Sequence, residues 1–444
     1  MATTYLTRTP ASAGNTKTFT ISVWCKKGNL TGSDRTIIGV ASGSGSADCH
    51  LRFNDTIGSL QFRLSDIAPY NITTNAYFRD TSAWYHVVAS VDTTQATASD
   101  RVKLYINGVE QSYSVAQYPA QDWTSNFNDT RAHEIGRNPD TSSRYYDGSM
   151  SHFHFIDGTA YDASAFGQAD ANGVWTIKTS PSVTYGTNGF FILKDGNSVT
   201  DQSGNGNNFT VGGGTLTNTE DSPSNVFATL NPLTNDGGGG AKTYSLGNTK
   251  VAETADSWTS AHSTLGATSG KWYFEAKVTY TNNNEAYIGA SSEQAILDKV
   301  NDSHYLGQTT GSVGYYTGNG SYYKGAGAVG YGSAVSGGDI VGVALDLDNN
   351  YIYFSINGTW QNSGDPESGA TGTGGISLPS GMTTSDFKFL SVSPNESYLE
   401  CNFGNGYFGT TAVASAGTNA SGIGIFEYDV PTGYTALSTK GLNL

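Results

Sequence analysis

Two short alternating stretches that end in Ile-Asn-Gly constrain the fold of this chain most. VKLYINGVEQ occupies residues 102–111, and YIYFSINGTWQ occupies residues 351–361. Apolar residues at every second position put one set of side chains on a single face of a strand. Asn-Gly is the preferred sequence of a two-residue hairpin turn, because both residues tolerate positive φ. Each stretch therefore predicts a β-hairpin, and each half of the chain contains one.

Further alternating runs surround both hairpins. In the first half they include FTISVW and WYHVVASVD, and in the second half GKWYFEAKVTY and DIVGVALDLDNN. With 56 Gly, 27 Tyr and only 14% charged residues, the composition favours short strands joined by turns. Long amphipathic helices are not predicted, and the sequence indicates only a short helical turn at residues 292–300. Strands that recur about every ten residues between turn signals are typical of two-sheet antiparallel sandwiches.

The alternation loosens between the two blocks, where DQSGNGNNFTVGGG and NDGGGG consist of turn and linker residues. We therefore predict an all-β chain with two antiparallel β-sandwiches of the jelly-roll type in tandem. The predicted parts are a first sandwich at residues 1–165, a Gly/Asn-rich joint with one or two strands at residues 166–240, a second sandwich at residues 241–409 and a C-terminal segment at residues 410–444.

Charge and hydropathy exclude several classes of partner. A net charge of −15 without any run of Lys or Arg disfavours binding to nucleic acid. No stretch of about 18 apolar residues predicts a membrane span, and the amino terminus lacks the apolar core of a secretory signal. Cys25, Cys49 and Cys401 have no zinc-module spacing, so we expect small buried apolar groups.

The motifs resemble known families when taken in order. FTISVWCKKG, WYHVVASVDTT, VKLYINGVE and YYDGSMSHFHFIDG resemble the laminin-G-like, concanavalin A-type lectin sandwiches. GKWYFEAKV, YIGAS, VGYYTGNGSYY, GDIVGVALDLDNNYIYFSINGTW and LECNFG resemble a SPRY domain. The whole order, which closes with FEYDVPTGYTALST, is similar to structural proteins of tailed bacteriophages, notably viruses of marine bacteria. The resemblance implies a virion component, such as a tail fibre, tail appendage or head decoration, that is made in the cytoplasm of a bacterial host.

Motifs for cofactors are incomplete. GAGAVG at residues 325–330 matches the dinucleotide fingerprint, but YGSAVSGGD follows in place of the required helix. Asp201 and Asp346 begin stretches that resemble calcium loops, yet both lack Glu at the twelfth position. Some lectin-type sandwiches hold calcium in their loops, and Asp147 or Asp201 could serve there. The spacing does not demand such an ion, and we expect no cofactor.

Motifs for catalysis are also missing. No E-x-D-x-x-E string, G-x-S-x-G elbow or H-E-x-x-H helix occurs. His152 and His154 are two apart on a predicted strand, so they should share a face, but no third metal ligand is evident nearby. We expect surface or interface histidines and no enzyme activity.

Aromatic residues crowd several predicted loops, above all YLGQTTGSVGYYTGNGSYYKGAGAVGYG at residues 305–332. A tyrosine ring can stack on the apolar face of a sugar while neighbouring amides and hydroxyls bind its hydroxyl groups. Alternatively, these rings pack strands or a subunit contact. The candidate ligand-binding residues are Trp123, Tyr145, Tyr146, Tyr315, Tyr316, Tyr322, Tyr323 and Tyr331.

Three functions follow as hypotheses. The first is a structural virion protein that binds other virion proteins and recognises a host cell-surface glycan. The second is a purely architectural decoration or adaptor that binds other virion subunits, and the third is a glycan depolymerase. The chain lacks the heptads of a coiled-coil stalk, so a homo-oligomer would associate side by side.

Overall fold

Strands dominate the computed structural model of this chain, which describes residues 3–28, 34–41, 49–54, 58–64, 70–194, 198–234, 242–298, 304–325 and 327–444. The chain divides into two compact units, Met1–Asn218 and Thr219–Leu444. The predicted fold class, two antiparallel β-sandwiches in tandem, is confirmed.

The described residues of the first unit form two antiparallel sheets. The strands are β1 (Tyr5–Arg8), β2 (Thr18–Lys27), β3 (Arg35–Val40), β4 (Cys49–Phe53), β5 (Ser59–Arg63), β6 (Asn71–Tyr77), β7 (Trp84–Asp92), β8 (Val102–Ile106), β9 (Val109–Glu110), β10 (Tyr113–Ala116), β11 (His133–Ile135), β12 (Gly148–Asp157), β13 (Gly167–Ala169), β14 (Trp175–Ile177), β15 (Phe190–Ile192) and β16 (Thr210–Gly213). One sheet has the order β10-β6-β5-β4-β3-β11-β1-β16, and the other has the order β15-β12-β2-β7-β8-β9. β13 and β14 pair as a separate hairpin, and short 3-10 helices lie at Ala98–Asp100 and Ala163–Ala165.

The core of the first unit follows the predicted alternation. On β7, Tyr85, Val87, Ala89 and Val91 enter the main apolar cluster, while Val88 on the opposite face packs in a smaller one. The smaller cluster exists because residues 159–185 fold back over the second sheet. Both faces of this sheet are therefore covered.

The second unit is built around one long strand. Its strands are β17 (Thr243–Ser245), β18 (Lys250–Glu253), β19 (Ala261–His262), β20 (Lys271–Ser292), β21 (Ser312–Tyr316), β22 (Ser321–Tyr323), β23 (Ala328–Gly330), β24 (Ile340–Asp346), β25 (Tyr351–Ile356), β26 (Thr359–Trp360), β27 (Ile376–Ser377), β28 (Lys388–Asn402), β29 (Tyr407–Phe408), β30 (Thr411–Ala412) and β31 (Thr435–Ala436). β20 pairs with β24, β28 and β21 in antiparallel fashion and with β31 in parallel. Helix α1 (Glu293–Asp298) follows β20, and 3-10 helices lie at Gln361–Ser363, Pro366–Thr371, Ser380–Met382 and Gly441–Asn443.

Two apolar clusters hold the second unit together. The larger contains the alternating positions predicted from the sequence, including Trp272 and Phe274 of β20 and Val343 of β24. The smaller lies on the opposite face, where Tyr273 of β20 packs against the C-terminal Phe426. Residues 410–444 thus form part of the core of this unit.

The units do not coincide with the predicted boundaries. β15 and β16 lie within the predicted joint, yet they pair with β12 and β1 of the first unit. Phe227, from the end of the same segment, packs in the second unit. The few large apolar residues between the Gly- and Asn-rich turns complete the two cores. The segment is therefore divided between the units and is not a separate linker.

Both Ile-Asn-Gly stretches form the predicted tight turns. Asn107 and Gly108 have φ values of 48° and 82°, and Asn357 and Gly358 have 47° and 78°. Positive φ at both central residues is the geometry that Asn-Gly supplies. The turns join β8 to β9 and β25 to β26.

Two further predictions can be compared with the structure. Cys25, Cys49 and Cys401 are free and buried, as expected. Across the part of the chain that the structure describes, no helix combines the length and apolarity needed to cross a membrane.

A cluster of aromatic side chains as the candidate binding site

The tyrosines of β21 and β22 divide between the two faces of their sheet, because successive side chains on a strand point to opposite sides. Tyr315 is completely buried, and its ring lies 5.2 Å from Phe354 in the core. Tyr315 is therefore a core residue, which corrects its prediction as a loop ligand-binding residue. Tyr322 is the cross-strand neighbour of Tyr315. Tyr322 and Tyr331 are partly buried and both pack against the same core. Ligand binding by the partly buried Tyr322 and Tyr331 stays a prediction.

Tyr316 and Tyr323 point to the opposite face and join three rings that the sequence did not single out. The ring cluster consists of Trp258, Tyr287, Tyr305, Tyr316 and Tyr323. Tyr287 is at its centre, with ring centroids 4.6 Å from Tyr305, 5.0 Å from Tyr316 and 5.0 Å from Trp258. Tyr287 is buried, whereas the four surrounding rings are half-buried. An aromatic surface built on strands therefore reaches solvent here.

Small residues beneath the ring cluster allow a loop to lie close to the sheet. A Cβ on Gly314 of β21 would come within 2.7 Å of the Cβ of Leu306. The Leu306 backbone N–H also donates to the hydroxyl of Ser393 on β28 at 3.2 Å. These contacts hold Tyr305 over Tyr287, with the two rings stacked at an interplanar angle of 15°.

Trp258 is positioned by the adjacent short strand. Residues Ala261 and His262 of β19 pair with β28, and the Ser260 hydroxyl lies 2.7 Å from that of Ser393. Trp258 is two residues before this anchored point, and its ring meets Tyr287 edge-on. Backbone pairing on both sides of the ring cluster makes the arrangement rigid.

Polar acceptors lie at one end of the ring cluster. The Tyr316 hydroxyl donates to Oε1 of Glu285 at 2.8 Å. The side-chain nitrogen of Asn395 donates to Oε2 of Glu285 and to Oδ1 of Asp256, both at 3.2 Å. We call Asp256, Glu285 and Asn395 the acceptor group. Together the rings and the acceptor group offer stacking surfaces beside oxygen atoms that can bind hydroxyl or amino hydrogens.

The hydroxyls of Tyr287 and Tyr316 stay protonated. Burial and the neighbouring tyrosines raise the pKa of Tyr287. Burial, followed by the Glu285 carboxylate, raises the pKa of Tyr316. Both phenols are therefore neutral at physiological pH and act as hydrogen-bond donors.

The three candidates in the first unit do not come together. Trp123 meets Tyr70 edge-on at 5.0 Å, and Tyr145 lies 6.4 Å from Tyr5. Tyr146 is buried and donates its hydroxyl hydrogen to the backbone oxygen of Lys26. Tyr146 is therefore a core residue, which corrects its prediction as a loop ligand-binding residue.

The expectations for His152 and His154 also need correction. The pairing of β12 with β2 shifts register between Ser151 and His154, and His152 has a φ of 49°. The two side chains thus do not follow regular alternation. His154 is buried, stacks on Phe191 at 4.0 Å and lies 2.8 Å from the Tyr185 hydroxyl, so it is not a surface residue.

Asp201, a candidate calcium ligand, is bound by hydrogen-bond donors of the protein. The carboxylate of Asp201 accepts hydrogen bonds from the backbone N–H groups of Phe191, Ser203 and Asn207 and from the Ser203 hydroxyl. These donors hold the DQSGNG turn together. Within the described residues, no group of three or more His, Cys, Asp or Glu side chains is arranged to hold a metal ion.

The sequence signal for the missed ring-cluster residues is weak. Tyr287 stands in EAYIGAS, where alternation places it opposite the core residues Ala286 and Ile288. Its cross-strand partner Tyr316 is known only from the register of β20 and β21. Trp258 and Asn395 are distant in sequence from the tyrosine-rich loop, so only the folded sheet brings them together.

A separate apolar patch lies beside α1. It consists of Ile296, Leu297, Phe387 and Phe389. Leu297 is 60% exposed and Phe387 is 49% exposed. Ile296, Leu297 and Phe389 also line a cavity of about 100 Å³. Exposed apolar side chains grouped in this way are typical of protein contacts.

Family comparisons agree with the division of the chain. The concanavalin A-like lectin/glucanases superfamily matches residues 2–164, and the SPRY domain matches residues 271–369. The SPRY match includes Tyr287, Tyr305, Tyr316 and Tyr323 but not Trp258. No curated protein matches the chain.

Solved structures with similarity to this chain include several SPRY domains. A human SPRY domain is 17% identical, with 34% of this chain and 89% of that chain covered and a TM-score of 0.25. The SPRY domain of human HERC1 is 14% identical, with 39% and 96% covered and a TM-score of 0.28. The TRIM65 PSpry domain is 15% identical, with 39% and 88% covered and a TM-score of 0.29.

Proposed function

We propose that this chain, in which a concanavalin A-like domain precedes a SPRY domain, is a structural protein of a tailed-phage particle that recognises a glycan on the host surface. It binds the glycan without chemical conversion. The observation that carries the proposal is the ring cluster, whose half-buried aromatic rings lie beside the acceptor group. The phage assignment is supported by the order of motifs along the whole sequence.

The chemistry of the ring cluster suits a sugar. Aromatic rings contact the apolar C–H face of a pyranose, and nearby oxygen atoms accept its hydroxyl hydrogens. Tyrosine and tryptophan have two side-chain torsions each, so little conformational entropy is lost on binding. Binding at one such shallow surface is weak, but many copies on a particle bind a repetitive cell surface together with much higher avidity.

A glycan array with the full-length protein tests this proposal. Trp258→Ala and Tyr305→Ala should each abolish binding to the glycans that the unaltered protein retains. Tyr77→Ala is the matched control, because Tyr77 is an exposed tyrosine of the first unit and its loss should leave binding unchanged. Retained binding in both ring-cluster variants would contradict the proposal.

A second candidate function is an architectural adaptor, which the apolar patch favours. Leu297 and Phe387 are large apolar side chains that reach solvent, and an adjoining virion subunit would cover them. Leu297→Ser with Phe387→Ser should then prevent incorporation into particles without loss of folding. Glycan binding that is retained in this double variant, together with normal particle assembly, would favour recognition over architecture.

The depolymerase hypothesis has a direct assay. Incubation with host polysaccharide should release no reducing ends if the protein only binds. Release that disappears in Glu285→Gln would make the protein a glycanase, since glycosidases use paired carboxyl groups.

A further inference from the structure

We propose that the ring cluster takes a glycan with an unacetylated, positively charged amino group, which Glu285 and Asp256 bind through their carboxylates. This inference rests on the proposed function, because it names the sugar class for the same site. The reasons are the closeness of the two carboxylates to each other and to the rings, and the lack of an ion pair between them and any cation of the described residues.

The two carboxylates lie close to each other. Oδ1 of Asp256 and Oε2 of Glu285 each lie 3.2 Å from the same Asn395 nitrogen, so the two oxygens are at most 6.4 Å apart. The Asn395 nitrogen occupies the position between these two oxygens, so a ligand amino group would approach the carboxylates from solvent, where Asp256 is exposed and Glu285 is half-buried. Charge-assisted hydrogen bonds of about 2.8 Å from an ammonium nitrogen are strong.

No protein cation neutralises these carboxylates among the described residues. Where the structure describes the second unit, ion pairs join Lys250 to Glu400, Lys271 to Asp346 and Lys388 to Asp386. Glu285 is half-buried, so its charge is less screened than that of a fully exposed carboxylate. A ligand cation would supply the missing counter-charge.

Asn395 does not neutralise the two carboxylates. Asn395 is 1% exposed, and its amide nitrogen is directed to the two carboxylates. A flipped amide would bring its oxygen against both negative charges, so this orientation is fixed. Oδ1 of Asn395 has no hydrogen-bond partner. The two carboxylates thus remain charged acceptors for a cationic ligand.

The rings themselves favour a cation. The negative face of an aromatic ring attracts a cation within about 6 Å, and Tyr316 belongs both to the ring cluster and to the hydrogen bonds of Glu285. The net charge of −15 adds a long-range attraction for positively charged polysaccharide. A neutral N-acetylated sugar gains the stacking contact. It gains neither the cation–ring attraction nor the long-range attraction to the negative net charge.

Two oligosaccharides with one backbone, which differ in N-acetylation and therefore in charge, test the inference. Tetramers of β-1,4-linked glucosamine and of N-acetylglucosamine share one backbone, and only the first carries ammonium groups at pH 6. We expect the glucosamine tetramer to bind the full-length protein about tenfold more tightly at low salt. That preference should decline as salt is added.

Substitution of the two carboxylates tests whether they cause the preference for glucosamine. Glu285→Gln and Asp256→Asn should each reduce the preference for glucosamine while weak binding of both tetramers remains. Asp298→Asn is the control, because Asp298 is an exposed carboxylate at the end of α1 and should have no effect. The salt dependence of the unaltered protein tests the charge without any substitution.

Failure of this inference can be separated from failure of the proposed function. Equal binding of both tetramers, lost in Trp258→Ala, would overturn the cationic ligand and leave glycan recognition intact. If neither tetramer binds and no arrayed glycan depends on Trp258, both proposals fail. If oligolysine peptide binds in place of the amino sugar and Glu285→Gln abolishes that binding, the partner is a protein and the sugar assignment is overturned.

Discussion

The indole ring of Trp175 lies directly against Gly108, the glycine of the first Ile-Asn-Gly turn. A Cβ at Gly108 would come within 2.5 Å of Cζ3 of this ring. The second turn has the same relationship, since a Cβ at Gly358 would lie 2.6 Å from the ring of Tyr428. In both units an aromatic residue from a later segment therefore packs on the turn. The glycine is required for this contact as well as for its positive φ.

Substitution of Gly108 should destabilise the first unit in two ways. Gly108→Ala places a side chain at a φ of 82°, which costs about 1 kcal/mol. It also collides with Trp175, and overpacking of this kind costs about 1–3 kcal/mol more. Denaturant unfolding followed by tryptophan fluorescence measures the loss.

Gly173→Ala is the matched control for this prediction. Gly173 also has a φ of 82°, but a Cβ there would meet nothing within 4 Å. The control should lose only the backbone contribution. Equal destabilisation in the two variants would show that the contact with Trp175 contributes nothing.

The alternating pattern predicted the core better than it predicted the site. In WYHVVASVD and GKWYFEAKVTY, every second side chain enters one core, Val87 and Trp272 among them, because a strand with one apolar face has one stable orientation. The pattern could not assign adjacent tyrosines, since a tyrosine suits a core or a surface. Tyr315 and Tyr316 illustrate this limit, because only the register with β20 decides which of them reaches the ring cluster.

Segments without alternation were harder to interpret for a different reason. Phe209 stands in DQSGNGNNFTVGGG, whose Gly and Asn residues indicate turn and linker, yet its ring packs against Phe190 with centroids 4.7 Å apart. Long-range pairing with β12 and β1 gives these residues their structure. The residues near Phe209 in the sequence do not indicate that the chain pairs with such distant strands.

Adjacent tyrosines should respond in opposite ways to loss of the hydroxyl. Tyr316→Phe removes the hydrogen bond to Glu285 and should weaken glycan binding about three- to tenfold with little change in stability. Tyr315→Phe removes a buried hydrogen bond to the backbone oxygen of Ser333 and should cost about 1 kcal/mol of stability without changing affinity. Calorimetric titration and thermal unfolding of both variants separate the effects, and the reverse pattern would contradict the assigned faces.

The first unit should lose stability in mild acid because of two buried histidines. Burial lowers the pKa of His86 to about 3 and that of His133 to about 4. His86 accepts the indole N–H of Trp175, and His133 accepts the backbone N–H of Asn128. Both rings therefore stay neutral when folded but bind a proton when unfolded, where the ordinary pKa is about 6.5.

The neutral form of these histidines contributes fully to the free energy of unfolding above about pH 6.5. This contribution declines as the pH falls toward their pKa values in the folded state. Between pH 7 and pH 5, each of the two histidines should lower the free energy of unfolding by about 2 kcal/mol. Thermal unfolding of the first unit at the two pH values, followed by tryptophan fluorescence, measures the change. An unfolding temperature that does not fall between pH 7 and pH 5 would refute the neutral assignment.

The second unit contains a buried carboxyl group with the opposite pH dependence. Glu275 of β20 accepts the backbone N–H groups of Glu427 and Tyr428, each at 2.9 Å, and so fastens the C-terminal segment to the sheet. Burial raises its pKa to about 7, although these donors partly offset the shift. The protonated form is therefore favoured in the folded chain relative to the unfolded one, whose carboxyl has its ordinary pKa near 4.5.

The contribution of Glu275 to stability should be greatest below about pH 4.5 and should be lost as the pH rises to about 7. Glu275→Gln cannot titrate, so the stability of the unaltered protein relative to this variant should fall by about 1–3 kcal/mol over that interval. Denaturant unfolding of both proteins at pH 4.5, 6 and 7.5 measures the difference, and the comparison cancels the titration of every other group that the two share. If the difference in free energy of unfolding does not change with pH, Glu275 ionises at its ordinary pKa. The four hydrogen-bond donors around its carboxylate would then compensate fully for the hydration lost on burial.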